Sequence, residues 1–142
     1  MNKLTAPELL AQRAGEMSSS ELAGLRILIV EDDPIIALDV AETLADAGAI
    51  VIGPAHTVAQ ALKLVDGGGL DAAVLDYRLE REVSSPIADW LGRVCVPYLF
   101  HTSSRLEPQA AYPHITVIDK PTQRDVLVAL IKTLTNKTGK NG

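Results

Sequence analysis

Cysteine occurs once among the 142 residues, at Cys95, so the chain can form no internal disulfide and has no thiolate set for a structural zinc. Basic residues are in the minority. The 13 Lys+Arg stand against 18 Asp+Glu, a formal net charge of −5, which argues against nucleic acid, whose affinity for proteins comes mainly from clustered Lys and Arg. No apolar run approaches the roughly 20 residues of a membrane span, and the first 25 residues hold no signal-peptide core. The expectation is a cytoplasmic protein with no membrane partner. What remains, 47% hydrophobic and 22% charged residues over the length of one ordinary domain, is a globular composition.

Residues Met1 to Leu25 differ from the rest, with Pro7, Gly15, a Ser18-Ser19-Ser20 run and a modest helical pattern around Glu8 to Met17. They read as an N-terminal arm, either a frayed tail or a docking or dimerisation helix. From Arg26 to Leu134 short apolar runs alternate with periodic segments, the signal of βα units on a parallel sheet. Arg26 to Val30, Ala49 to Gly53, Ala72 to Leu75, Pro97 to Thr102 and Ile115 to Ile118 read as strands. Asp33-Pro34 caps a helix reaching to about Gly48, and Thr57 with Gln60 forms a capping box for a second helix that breaks at Gly67-Gly68-Gly69. Ser85-Pro86 caps a third, ending near Gly92, and Thr122 with Asp125 a last one ending near Leu134. Thr135 to Gly142 is a tail too short for another domain. The 12 residues between Thr102 and Ile115 include Pro108 and Pro113, so the crossover there is expected to be a mobile loop from Ser103 to His114 with its helix missing or marginal.

In open parallel α/β sheets ligands bind beyond the carboxyl ends of the strands. The first strand ends in Glu31-Asp32-Asp33, the third in Asp76, the fourth in Thr102 and the fifth in Lys120. Carboxylates converging from neighbouring strands disfavour their joint ionisation unless a cation binds, and hard oxygen ligands favour magnesium. A carboxylate beside such a cation can act as a nucleophile and form an aspartyl-phosphate, with a hydroxyl and an ammonium to hold the phosphoryl oxygens.

Glu31-Asp32, Asp76, Thr102 and Lys120-Pro121, each closing its strand in that order, resemble the receiver domain of two-component response regulators. The resemblance implies a flavodoxin-like, doubly wound, five-stranded parallel sheet in the order 2-1-3-4-5, with a shortened or missing fourth helix. It implies Asp76 as phosphoacceptor and Glu31 and Asp32 as the acid pair for Mg2+. The backbone carbonyl of Arg78 would complete the metal shell. Thr102 would bind the phosphoryl group through its hydroxyl and Lys120 through its ammonium, positioned by a cis bond to Pro121. The stretch Asp76-Tyr77-Arg78-Leu79, with Pro97-Tyr98-Leu99-Phe100-His101-Thr102, further resembles the stand-alone PFxFATGY-type receivers of α-proteobacteria, although His101 replaces the motif's alanine and Ser103-Ser104 its Gly-Tyr. That subfamily typically partners HWE-type histidine kinases. The implied partners are a histidine kinase or phosphotransfer protein and a downstream protein, with output by contact or as a phosphate sink. The chain is expected to be a monomer or weak dimer and a phosphoacceptor, not an enzyme with a separate substrate.

Other readings stand beside these. Asp33 reads as a helix cap, His101 and Trp90 as packed residues, and Cys95 as core. His56 and His114 lack partners at ligand spacing, and the Arg78 side chain is either solvated or leans over the acceptor. Val117 stands where most family members carry an aromatic ring whose rotamer reports activation. The alternative functions are a pseudo-receiver that binds partners without phosphorylation and an enzyme on a similar sheet, such as a flavodoxin or an aspartate-nucleophile phosphatase.

Overall fold

The computed structural model describes residues 21–137. The helical stretch expected around Glu8 to Met17 and the last five residues lie outside them. The sheet is built outward from β1 (Arg26–Val30), a β-branched run buried on both faces, which pairs in parallel with β2 (Ile50–Ala55) on one side and β3 (Ala72–Leu75) on the other. β4 (Tyr98–Thr102) and β5 (Val117–Asp119) continue from β3, giving the order β2-β1-β3-β4-β5. This is the doubly wound, flavodoxin-like arrangement expected from the sequence.

Alternate strand residues feed two cores. Ile27, Ile29, Val74 and Leu99 face α1 (Pro34–Asp46) and α5 (Arg124–Lys137), where they meet Val40, Leu44, Leu127 and Ile131. Leu28, Val30, Leu75 and Phe100 face α2 (Val58–Val65) and α3 (Ser85–Arg93), where they meet Ala61, Val65, Ile87 and Leu91. Leu22, counted with the arm by composition, is fully buried in the α1–α5 core, and its N–H donates to the Ala47 carbonyl at 2.8 Å. Arg124 ties α5 to α1 through Asp39, Glu42 and Asp46.

Several element ends differ from the sequence reading. β2 does not stop at Gly53 but continues through Pro54 to Ala55, with an irregular register opposite Leu28 and Val30. A proline is tolerated there because β2 is an edge strand. Gly53 sits at φ +103, where a Cβ would come within 2.8 Å of the Ala55 nitrogen. Ser85 is the first residue of α3 and Ser84 its cap, a shift of one that moves Pro86 to the second helical position. Helix α3 closes on Cys95, which is exposed in the left-handed region at φ 61 instead of being core. The Cys95 N–H donates to the Gly92 carbonyl and the Val96 N–H to the Leu91 carbonyl, a Schellman closure that places the side chain at the surface. β5 begins two residues later than expected. α5 starts at Arg124 without a Thr122 cap, because the Thr122 hydroxyl donates to the Asp119 carbonyl at 2.5 Å.

The fourth crossover contains a short helix, α4 (Leu106–Ala111), where a loop was expected. Pro108 is its third residue. The first four N–H groups of a helix have no intrahelical acceptor, so the proline removes no bond there, and Ala110 and Ala111 complete the turn. The helix is six residues long, in line with the shortened fourth helix implied by the resemblance.

Candidate functional site

The β1 strand delivers Glu31 and Asp32 just past its end, the Glu31 N–H still donating to the Ala55 carbonyl at 2.9 Å, and β3 delivers Asp76, whose N–H donates to the Val30 carbonyl at 2.8 Å. That bond locks the two strand ends side by side. Ligand oxygens of Glu31, Asp32 and Asp76 lie within 4.8 Å of one another. Glu31 is held from two directions: its carboxylate accepts from the Asp33 N–H at 3.2 Å, and its carbonyl meets His56 Nδ1 at 2.8 Å, so that nitrogen carries the proton. Asp33 is the N-cap of α1, its side chain accepting from the N–H groups of Ile35 and Ile36.

Lys120 reaches in from the end of β5, at a cis bond to Pro121. Its ammonium lies 2.8 Å from Asp76 Oδ2 and 2.5 Å from Glu31 Oε1, and all three side chains are largely buried. Burial alone would lower the lysine's pKa, but the two carboxylates outweigh it and the net shift is upward. Glu31 is pushed up to about 7, first by burial, with the Lys120 ammonium opposing and the neighbouring Asp76 adding to the rise. With Glu31 ionised, three carboxylates against one ammonium leave two negative charges in excess, which a divalent cation would balance. The residues present therefore fit a magnesium ion, which commonly takes one or two carboxylates and keeps several waters.

These groups open into a cleft of about 620 Å³ that extends along α1 to His101, Val40 and Leu127. His101 is buried, its Nε2 has no partner among the described residues, and burial with the nearby Lys120 charge lowers its pKa to about 4. It is a packed neutral imidazole, as read from the sequence. Thr102 is also buried, but it does not line the cleft: its hydroxyl makes a turn with the Ser104 backbone, at 3.2 Å from the nitrogen and 3.3 Å from the carbonyl. Arg78 lines the cleft, and its guanidinium points to Glu107 on α4, with Nε 3.2 Å from Oε1 and Nη2 2.6 Å from Oε2. The structure thus brings together Glu31, Asp32, Asp76 and Lys120, places Arg78 at the rim and turns Thr102 aside.

Sequence reasoning missed His56 and Glu107. The first had a faint signal, since it precedes the Thr57 capping box, where its N–H donates to the Gln60 side chain at 2.8 Å. Glu107 had none, because its partner is 29 residues away across a segment read as a loop.

No protein-family model matches the chain, and no curated protein resembles it in sequence. Solved structures do resemble it in fold. The response regulator PhyR from Brucella abortus superposes with a TM-score of 0.75 at 24% identity over 95% of this chain, which spans 56% of that longer protein. A response regulator receiver protein from Sinorhizobium medicae gives 0.72 at 24% identity, covering 81% of this chain and 97% of the other. A CheY-like receiver domain protein from Methanospirillum hungatei gives 0.75 at 21% identity over 84% of this chain and all of that one. The likeness at these identities is one of fold, that of receiver domains.

Proposed function

We propose that the chain is a receiver that accepts a phosphoryl group on Asp76 from the phosphohistidine of a kinase or phosphotransfer protein. The observation that carries this reading is the Asp76 carboxylate, buried beyond β3 between an acid pair and the Lys120 ammonium. In the transfer, an Asp76 oxygen bonds to phosphorus as the phosphorus–nitrogen bond of the donor breaks, and the imidazole leaves with the bonding electron pair. Lys120 then exchanges part of its contact with Asp76 for a phosphoryl oxygen, holding the new charge where it develops. Thr102 joins once its hydroxyl leaves Ser104. Magnesium would be held by Glu31, Asp32, Asp76 and the Arg78 carbonyl, and when bound it neutralises charge on the phosphoryl oxygens.

Hydrolysis reverses the state: water attacks phosphorus, the acyl-phosphate bond breaks, and inorganic phosphate leaves the regenerated carboxylate. The chain is thus a phosphoacceptor with its own self-phosphorylation and dephosphorylation chemistry. Output runs through protein contacts or through removal of phosphate from another regulator. The Pro97 to Thr102 stretch supports the PFxFATGY-type subfamily, and with it an HWE-type kinase, as the donor. No helix among the described residues is long and apolar enough to cross a membrane, which suits a chain working in the cytoplasm.

Intact-protein mass spectrometry after incubation with acetyl phosphate tests the reading. Addition of one phosphoryl group is expected with magnesium and not without it, and Asp76→Asn abolishes it. Labelling of that variant at the wild-type rate would overturn the assignment.

A further inference from the structure

The contact between Arg78 and Glu107 joins two parts of the molecule that are otherwise held very differently. On the Arg78 side the backbone is pinned. Arg78 pairs with Val83 in an antiparallel bridge, the Leu79 N–H donates to the Glu82 carbonyl and the Ser84 N–H to the Tyr77 carbonyl, each at 2.8 Å, and Leu79 is buried. The pivot of the arginine is therefore fixed two residues beyond Asp76, and only its side chain is free to swing.

On the Glu107 side the anchoring is slight. α4 buries only Pro108, while Leu106 stands 80% exposed. The Tyr112 ring at its end packs against Phe100 and Tyr77, and the other ties are polar: Arg78 to Glu107 at its start, Arg105 to Asp119 and the Val117 carbonyl beside it, and the Tyr112 hydroxyl to Asp89. The Arg78–Glu107 pair has forked, two-bond geometry, yet both side chains are about half exposed, so solvent and salt compete with it. A phosphoryl group carries more charge than a carboxylate and a further acceptor oxygen. On Asp76 it would lie in the cleft that Arg78 already lines.

We propose that Glu107 is a positioning residue that parks the Arg78 guanidinium away from the acceptor, and that a phosphoryl group on Asp76 captures Arg78 and so releases α4. This rests on the phosphoacceptor reading above. Glu107 and the phosphoryl group compete for one guanidinium, so each weakens the other's hold on it. The freed α4, with Leu106 already exposed, then keeps the buried Pro108, the Arg105 contacts and the packing of the Tyr112 ring on Phe100 and Tyr77, and loses its tie to the β3 side of the cleft.

A double-mutant cycle with beryllofluoride as the phosphoryl probe, in saturating magnesium, tests this. Removing the competitor in Glu107→Gln is expected to tighten beryllofluoride binding by about two- to five-fold, the range an exposed ion pair allows. Arg78→Gln should bind it more weakly, and Glu107→Gln added to Arg78→Gln should change nothing further. Amide exchange in residues 106–111 should rise with beryllofluoride in the wild type and be already raised in Glu107→Gln without it. An equal effect of Glu107→Gln in both backgrounds overturns the proposal, since Glu107 would then act structurally and not through Arg78. Unchanged exchange in α4 on beryllofluoride binding overturns it too. If Asp76 takes neither beryllofluoride nor a phosphoryl group from acetyl phosphate, the phosphoacceptor reading itself falls, and the proposal with it.

Discussion

Two buried side chains, Glu31 and His101, titrate in opposite senses over nearly the same pH range. Glu31 has an ordinary value of 4.5 and is raised to about 7 in the fold. Between those values the native chain binds more protons than the unfolded one, so this group's contribution to stability falls as pH rises. His101 is lowered from 6.5 to about 4, chiefly by burial. Over that interval the native chain binds fewer protons, and the imidazole's contribution rises with pH. In the metal-free protein the two slopes oppose each other between about pH 4.5 and 6.5. His101→Leu forfeits no hydrogen bond at Nε2 and leaves the Glu31 slope uncovered. Urea midpoints of that variant should fall steadily from pH 4.5 to 7, while those of the wild type fall less. Equal pH dependence in the two proteins would mean that His101 titrates alike in the folded and unfolded chain. Neither shift was legible in the sequence. Glu31 and Asp32 declared themselves by following a buried strand, but the pKa of Glu31 depends first on the burial of its carboxylate and then on the approach of Lys120 and Asp76, which only the sheet order fixes.

At the scale of elements, the sequence carried the strands and helices best where a turn residue and a change of period coincide. β1, β3 and the capped start of α1 fall where they were read, because Asp33-Pro34 is a two-residue stop with one physical meaning. The ends misread were those where one residue type serves two purposes. Gly53-Pro54 is a turn signal in isolation, yet it continues an edge strand. Pro108 breaks a helix interior but is harmless in a first turn. Cys95 looked like core by residue type, while its position at the close of α3 demanded left-handed backbone, which L-residues other than glycine and, at times, Asn or Asp adopt at a cost of roughly 1–2 kcal/mol. Part of that cost returns with glycine, which loses more chain entropy on folding. Since the Cys95 side chain is exposed, Cys95→Gly should raise the unfolding free energy by about 1 kcal/mol, measured by denaturant titration. An unchanged or lower midpoint would place the closing strain elsewhere.

The whole molecule couples its charge to its stability through one end of the sheet. The acid cluster is assembled from β1 and β3, two neighbouring inner strands of the sheet, and balanced by a lysine from the β5 edge. A cation bound there but not by the unfolded chain stabilises the fold by mass action, by about 2.7 kcal/mol at a hundred times its dissociation constant. Magnesium should therefore raise the melting temperature by several degrees at pH 7.5 and by less at pH 5, where Glu31 is protonated and the excess charge is smaller. Glu31→Gln should lose most of the rise. A rise of the same size at both pH values, or an undiminished one in that variant, would move the metal away from this cluster.

Among the described residues the same strand order leaves two borders, β2 and β5, with unpaired backbone on their outer sides. β5 is three residues long and ends in Asp119, an ion-pair partner of Arg105. β2 is longer, but Pro54 lacks an N–H and the register slips beside it. Neither border offers a regular ladder to a strand from another molecule, and both carry devices that natural sheets use against edge-to-edge growth. Both features work against growth of this sheet from one copy of the chain into the next.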